Sequence, residues 1–230
     1  MSSQAWIDSI TDVVAIDGPA GAGKSTVARR AAAALGFSFL DTGAMYRAAT
    51  WWALEQKIDL SDGPALAEST RTMKLDLRED DGVQQVLVNG HDITHAIRTP
   101  EITRLIHHLD SNREVRAHLV DLQRAVGAQK PVVAEGRDMG TVVFPKAKCK
   151  IYMDASLDER ARRRAAELAA KEIGFDFDVL REEIRIRDEK TMTRAESPLR
   201  RADDAVLLDT TGLTLDEVVA RVVEIAREKL

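Results

Sequence analysis

Short apolar runs alternate with longer amphipathic segments along most of the chain. Runs at residues 13–16, 37–40, 131–134, 150–153 and 205–208 have the length and composition of buried strands. Segments with helical periodicity lie between them, at residues 24–35, 44–56, 156–171, 179–190 and 214–229. Strands that alternate with helices predict an α/β fold, in which a parallel sheet carries helices on both faces.

The middle of the chain has a different pattern. Residues 74–77 and 85–88 alternate polar and apolar side chains around an acidic turn at residues 79–82, and Asn89-Gly90 marks a second tight turn. This pattern predicts a small antiparallel β insert. A helical pattern resumes at residues 101–126 and is interrupted near Ser111 and Asn112.

Composition limits the classes of function. The chain has 230 residues, a formal charge of -5 and 4% aromatic residues, so we expect no nucleic-acid polymer as a partner. A single cysteine, the absence of a signal-peptide pattern before Asp12 and the absence of an 18-residue apolar run predict a cytoplasmic protein that contacts no membrane. We find no exposed apolar stripe in the sequence and therefore expect a monomer.

The strongest local signal follows the first predicted strand and opens the first predicted helix. It matches the pattern G-x4-G-K-S/T with residues Gly18, Pro19, Ala20, Gly21, Ala22, Gly23, Lys24, Ser25 and Thr26. Glycines let consecutive backbone N–H groups point at phosphate oxygens, and the helix N-terminus adds partial positive charge. Lys24 supplies a full charge for the β and γ phosphates, and the Ser25 hydroxyl is suited to ligate Mg²⁺. The sequence therefore predicts a nucleoside-triphosphate site.

A phosphate-binding loop does not by itself distinguish an enzyme from a switch or a motor. A guanine-specific switch would carry an N-K-x-D-type stretch, which the sequence lacks, and a large motor would need a longer chain. A small-molecule kinase is therefore the leading interpretation. A nucleotide-dependent switch or a regulatory ATP-binding module remains the alternative from another class.

Arginines are the candidates for binding a second, acceptor phosphate. Arg47 lies one turn into a helix that follows a strand, and the Arg137-Asp138 pair lies directly after a buried strand, between Gly136 and Gly140. A third group is interleaved with acidic residues and could form a lid over the phosphates. Its members are Arg160, Arg162, Arg163, Arg164, Arg181, Arg185, Arg187, Arg194, Arg200 and Arg201.

The chain resembles bacterial cytidylate (CMP) kinases, of the nucleoside-monophosphate kinase group, over nearly its whole length. The resemblance rests on IDGPAGAGK at residues 16–24, LDTGAMYR at 40–47, IRT at 97–99 and GRDMGTVVFP at 136–145. It implies transfer of the γ-phosphoryl group of ATP to CMP or dCMP, with Mg²⁺. It also implies one P-loop kinase unit over residues 1–230, with a monophosphate-binding lobe at about 42–116, a β insert at about 73–97 and a helical lid at about 160–195.

The resemblance also implies roles for individual residues. Arg47, Arg137 and Arg194 would hold the CMP phosphate, while Asp138 and Arg116 would recognise the cytosine edge. Thr42 takes the place of a serine near the base. The remaining implied roles belong to Lys24 in catalysis and to two lid arginines, Arg163 on the donor nucleotide and Arg187 at the transferring phosphoryl group.

Three positions depart from the family pattern. His107 stands where a serine commonly touches the base, Thr191 where an aspartate commonly holds the ribose hydroxyls, and Glu135 where an aspartate is frequent. Thr191 leaves the preference between CMP and dCMP open. Other acceptors, namely UMP, shikimate and dephospho-coenzyme A, are the alternatives among kinases, and Asp138 with Arg116 favours a pyrimidine that carries an amine. His107 and His108 are neighbours on a helix and are expected to lie on different faces.

Overall fold

The computed structural model describes residues 7, 9–80, 83–170 and 172–230. The strands of this part of the chain are β1 (Val13–Asp17), β2 (Ser38–Asp41), β3 (Leu75–Asp80), β4 (Val83–Val88), β5 (His91–Asp92), β6 (Val132–Gly136), β7 (Cys149–Asp154) and β8 (Val206–Asp209). Its helices are α1 (Lys24–Leu35), α2 (Thr42–Glu55), α3 (Gly63–Thr72), α4 (Pro100–Leu105), α5 (His107–Asp110), α6 (Arg113–Gln129), α7 (Leu157–Ala169), α8 (Phe177–Thr193) and α9 (Leu215–Lys229).

The five predicted buried strands form one parallel sheet in the order β2-β6-β1-β7-β8. The central strand β1 ends with Asp17 beside Gly136 of β6 and beside Tyr152 of β7. The carboxyl ends of these strands therefore lie at one edge, which is where ligands bind in open α/β sheets.

Helices cover both faces of the sheet, as predicted. Side chains of β1 alternate between the faces: Val13 and Ala15 belong to a core built with α2, α3 and α6, whereas Val14 and Ile16 belong to a core built with α1 and α9. Strands β1 and β6 are therefore buried on both faces, whereas the edge strand β8 exposes Leu207.

The predicted β insert is a separate antiparallel sheet of β3, β4 and β5. The predicted tight turn at Asn89 and Gly90 is confirmed, since φ is 51° at Asn89 and 83° at Gly90. Residues 81 and 82 of the predicted acidic turn lie outside the described residues, as does residue 171 at the end of the predicted helix 156–171. The expectation about a signal peptide also falls largely on residues outside the described part.

The predicted helical segment at residues 101–126 is three helices, α4, α5 and α6. The predicted interruption at Ser111 and Asn112 is confirmed, because Asn112 caps α6: its side-chain oxygen accepts from Val115 N at 3.1 Å. The prediction that the side chains of His107 and His108 lie on different faces of a helix is wrong. Their ring centroids are 4.1 Å apart, because the pair lies at the junction between α4 and α5 rather than inside one regular helix.

Several elements were not predicted. Helix α3 begins at a cap formed by Asp62, whose carboxylate accepts from Ala65 N at 3.0 Å, so the signal Asp-Gly-Pro was present in the sequence and was overlooked. Strand β5 and a 3-10 turn at Ala96–Arg98 are too short for periodicity to show. A π-helical turn at Met139–Val143 was not predicted either, because Asp17, which holds it, is distant in the sequence.

None of the described helices is long and apolar enough to span a membrane.

The last helix, α9, begins at a cap in which Thr214 and Glu217 bond to each other's backbone N–H groups. Thr214 accepts from Glu217 N at 3.3 Å, and the Glu217 carboxylate accepts from Thr214 N at 2.8 Å. We expect Thr214→Ala to lower the free energy of unfolding by about 0.5–2 kcal/mol in urea titrations, because α9 then loses its cap. Thr72→Ala at the exposed end of α3 is the control, with an expected change within about 0.5 kcal/mol. Equal effects of the two substitutions on the free energy of unfolding would contradict the role of Thr214 as the cap of α9.

Candidate active site

The phosphate loop connects β1 to α1 and is held close to β7. A Cβ atom at Gly18 would lie 2.0 Å from the carbonyl oxygen of Met153, so only glycine fits there. Gly23 has φ 85° and forms the N-cap of α1, which leaves the first N–H groups of that helix facing the loop. The predicted strand-loop-helix context of the motif is confirmed.

Lys24 is buried at the start of α1. Its ammonium donates to the carbonyl oxygen of Pro19 at 2.8 Å, and the residue is 5% exposed. Burial lowers the pKa of Lys24 to about 7, and the positive charges of Arg137 and Arg187 add to the effect. The carboxylates of Glu135 and Asp17 oppose this shift, so the lysine lies in a water-poor environment of mixed charge.

Three arginines complete what we call the four-cation cluster: Lys24, Arg47, Arg137 and Arg187. Burial lowers the pKa of Arg187 to about 9, with further lowering by Arg137 and Arg47. Burial likewise lowers the pKa of Arg47, and Arg137 contributes to this shift. Lys24, Arg47 and Arg187 thus each lie close enough to another cation for that cation to disfavour their charge.

No member of the four-cation cluster forms an ion pair with a carboxylate of the described residues. Arg47 donates instead to the Thr103 hydroxyl at 2.7 Å, and Arg137 to the carbonyl oxygen of Gly136 at 3.3 Å. Four cations from α1, α2, the end of β6 and α8 therefore converge with only partial compensation, which comes from Glu135 and Asp17 near Lys24 and from Asp41 near Arg47. A polyanion such as a chain of phosphates would complete that compensation.

A second group of predicted residues forms a buried pocket beside the cluster. Arg116 and Asp138 are 4% and 3% exposed, and Arg116 donates to the Asp138 carboxylate at 2.5 Å. The Arg116 guanidinium lies 5.3 Å from the ring centroid of Tyr46 and also donates to the carbonyl oxygen of Asp110 at 3.0 Å. The structure therefore brings together the two residues predicted to recognise a base.

Two buried polar atoms in this pocket, Nε of Arg116 and the hydroxyl of Tyr46, have no hydrogen-bond partner among the residues that the structure describes. Burial raises the pKa of Tyr46, so its hydroxyl keeps its proton and can donate. Unsatisfied buried donors are costly, and a ligand with acceptor atoms would relieve that cost. Sequence reasoning missed Tyr46, although it lies inside the quoted LDTGAMYR motif.

Arg194 reaches the same pocket from the end of α8. Its guanidinium lies 3.7 Å from the Asp110 carboxylate and donates to the carbonyl oxygen of Ser197 at 2.9 Å. Asp110 was also missed, since nothing in its sequence surroundings distinguishes it from other acidic residues of the helical segment. Thr42 is 2% exposed and donates to the carbonyl oxygen of Glu135 at 2.7 Å, so it fastens α2 to the end of β6.

Two carboxylates lie behind the phosphate loop. Glu135 accepts from the Ser25 hydroxyl at 2.6 Å, and its pKa is raised by burial and by the charge of Asp41. Asp17 accepts from Met139 N and Gly140 N at 2.8 Å each, while burial raises its pKa to about 7. These two hydrogen bonds hold the first turn of the π-helical segment. Because Asp17 is 122 positions away from Met139, the sequence around the turn does not predict it.

The oxygen atoms of Ser25 and Glu135 suit a hard cation such as Mg²⁺. The described residues contain no group of three or more His, Cys, Asp or Glu side chains that could hold a metal ion.

The segment predicted to form a lid, at about residues 160–195, contains most of α7 and α8, which we call the lid helices. Arg163 donates to the carbonyl oxygen of Thr210 at 2.6 Å and to that of Ala22, in the phosphate loop, at 3.3 Å. Arg160 and Asp188 form a buried ion pair, which the alternation of charges in this segment did not indicate. Helix α7 thus contacts the loop directly.

Comparison with known proteins agrees with this arrangement. The cytidylate kinase family model matches residues 14–228. A cytidylate kinase of Carboxydothermus hydrogenoformans is 48% identical over 216 residues, which cover 94% of this chain and 97% of that protein. Cytidylate kinases of Exiguobacterium sibiricum and Shouchella clausii are 45% and 46% identical, and each alignment covers 94% of this chain and 97% or 96% of the relative. This chain is therefore a member of the cytidylate kinase family.

Proposed function

We propose that the chain transfers the γ-phosphoryl group of ATP to CMP or dCMP, giving ADP and the corresponding diphosphate. The observation that carries the proposal is the four-cation cluster, which forms no ion pair with a carboxylate in the described part of the chain and includes both the loop residue Lys24 and Arg137, the neighbour of Asp138. Family membership supports ATP as the donor and a nucleoside monophosphate as the acceptor. We further propose that the whole chain, 1–230, acts as a single kinase unit.

The chemistry requires alignment and charge neutralisation rather than a strong base. A phosphate oxygen of the acceptor forms a bond to the γ phosphorus, and the bond between that phosphorus and the bridging oxygen breaks, so that the electron pair leaves with ADP. The attacking oxygen is already anionic and loses no proton. The protein must hold two mutually repelling phosphate groups in line.

The four-cation cluster and Arg194 are proposed to divide this task. Lys24 neutralises the β and γ phosphates, and the loop from Gly18 to Thr26 cradles them. Arg137 and Arg187 contact the transferring phosphoryl group, and Arg47 and Arg194 hold the acceptor phosphate together with Arg137. Arginine suits these positions because its planar fork binds two oxygens of one phosphate.

Mg²⁺ is proposed to be held by the Ser25 hydroxyl, with Glu135 orienting it through water. A bound Mg²⁺ would supply positive charge to the donor phosphates during transfer. Glu135 meanwhile keeps the Ser25 side chain in position through their hydrogen bond of 2.6 Å.

The Arg116–Asp138 pocket is proposed to bind the cytosine. The Asp138 carboxylate accepts from the exocyclic amine, and Arg116 donates to the ring acceptors. Thr42 is the first residue of α2, directly after β2, and is proposed to contact the base. Thr191 donates its hydroxyl to the carbonyl oxygen of Arg187 at 2.8 Å and carries no charge, so we expect both CMP and dCMP to be accepted.

A panel of acceptors tests the proposal. We expect CMP and dCMP to stimulate ADP release from ATP in a coupled assay, with UMP, AMP and shikimate much poorer.

Lys24→Met should lower turnover at least about 10²-fold while the melting temperature is kept, because a charge that acts on the transition state is lost. Lys148→Met, at an exposed lysine, is the control. Tight ATP binding with no acceptor-stimulated ADP release would instead identify a switch or regulatory module.

Base recognition has its own test in Asp138→Asn. The substitution keeps the side-chain shape beside Arg116 but replaces a charged acceptor by an amide that can also donate. We expect kcat/KM for CMP relative to UMP to fall at least about 10-fold, since uracil presents an acceptor where cytosine presents an amine. The KM for ATP should change little, and an equal loss for every acceptor would refute the role of Asp138.

The lowered pKa of Lys24 predicts proton uptake when the donor nucleotide binds. With a pKa of about 7 the free lysine is mostly neutral at pH 8, and the phosphates of a bound nucleotide raise its pKa again. ADP binding at pH 8 should therefore take up close to one proton, and at pH 6, where Lys24 is already charged, this uptake should vanish. Calorimetry in buffers of different ionisation enthalpy measures it. Lys24→Met should abolish the uptake, and persistence in that variant would assign the proton to another group.

A further inference from the structure

One residue of the phosphate loop, Ala20, is bound on both of its backbone polar groups by side chains of the lid helices. The Asp188 carboxylate of α8 accepts from Ala20 N at 2.9 Å. The Arg160 guanidinium of α7 donates to the carbonyl oxygen of Ala20 at 2.9 Å, and the two side chains also pair with each other. The loop, α7 and α8 therefore meet in one closed hydrogen-bond network.

This network is buried. Arg160 and Asp188 are 8% and 7% exposed, and Arg160 uses a further donor on the carbonyl oxygen of Ala155 at 3.0 Å. The methyl group of Ala20 lies in a small apolar cluster with three lid residues, Ala161, Leu180 and Ile184. A Cβ atom at Gly21 would lie 3.1 Å from the Cβ of Arg160, so the loop backbone rests directly on α7.

Two residues proposed to act on the nucleotides adjoin this pair. Arg163 lies one helical turn after Arg160 and donates to Ala22 in the loop. Arg187 directly precedes Asp188 and belongs to the four-cation cluster. The bonds of Arg160 and Asp188 to Ala20 therefore also fix the backbone from which the side chains of Arg163 and Arg187 extend.

A buried ion pair is weak evidence for stability, because the cost of removing two charges from water offsets most of their attraction. Its bonds to the loop backbone point to a positioning role instead. We propose that the Arg160–Asp188 pair locks the base of the lid onto the phosphate loop, so that the donor site, with Arg163 and Arg187, is assembled before the nucleotide arrives. The movable part of the lid would then be its distal half, beyond these two residues. The inference rests on the proposed function for the identity of the donor.

A second link between the same helices offers a matched control. Arg181 of α8 and Asp158 of α7 are paired at 2.5 Å, but their side chains are 45% and 56% exposed. This pair does not touch the loop. Breaking it tests whether any weakened contact between α7 and α8 has the same effect.

The experiment compares Asp188→Ala, Asp188→Asn and Asp158→Asn with the unchanged chain. We expect Asp188→Ala to weaken ADP binding, measured by calorimetry, at least about 10-fold and to lower kcat, because the loop loses an anchor and Arg160 is left unpaired. The KM for CMP should stay within about twofold, since Arg47, Arg116 and Asp138 lie on other elements and Arg194, beyond the end of α8, is held by Ser197 and Asp110. Asp188→Asn should recover part of the ADP affinity, because its amide oxygen can still accept from Ala20 N. Asp158→Asn should bind ADP as the unchanged chain does.

Unchanged ADP affinity in Asp188→Ala would overturn the inference. Parallel losses of ADP affinity and of CMP recognition, together with a lower melting temperature, would also overturn it, since they indicate a role in stability alone. If Asp188→Ala does not fold, Asp188→Asn decides: a selective loss of ADP affinity supports positioning, and no loss contradicts it. The proposed function is tested separately, because it fails only if the unchanged chain does not phosphorylate CMP or dCMP.

Discussion

The mutual repulsion of Lys24, Arg47, Arg137 and Arg187 is the constraint on which the rest of the site depends. Burial is the main cause of the lowered pKa values of Lys24, Arg47 and Arg187, and neighbouring cations lower them further. The four cations extend from separate elements, namely three helices and the end of β6. The hydrogen bonds of Lys24, Arg47 and Arg137 go to backbone carbonyls and a hydroxyl, so no direct ion pair with a described carboxylate competes with a bound anion.

Sequence alone predicted the features whose cause is local. The phosphate loop has its glycines, Lys24 and Ser25 in one continuous stretch, and the parallel strands follow from short apolar runs. Arg137 and Asp138 were recognisable because they follow a buried strand directly. Boundaries were less accurate: α2 begins at Thr42 because Asp41 caps it, two residues before the predicted start.

Features that depend on distant partners could not be predicted in this way. The bond from Ala20 to Asp188 joins residues 168 positions apart, so Asp188 looked like one acid among many in a charged helix. The π-helical turn is held by Asp17, 122 residues away from Met139. The histidine pair was misjudged because a helix junction, invisible to periodicity, brings the two rings together.

The four-cation cluster has a consequence for molecules that would block the site. A donor or an acceptor nucleotide alone would compensate only part of the cluster, and each pays its own entropic cost of association. A compound that joins two nucleosides through a continuous phosphate bridge would reach all four cations in a single binding event, and its second half would bind at a high effective concentration.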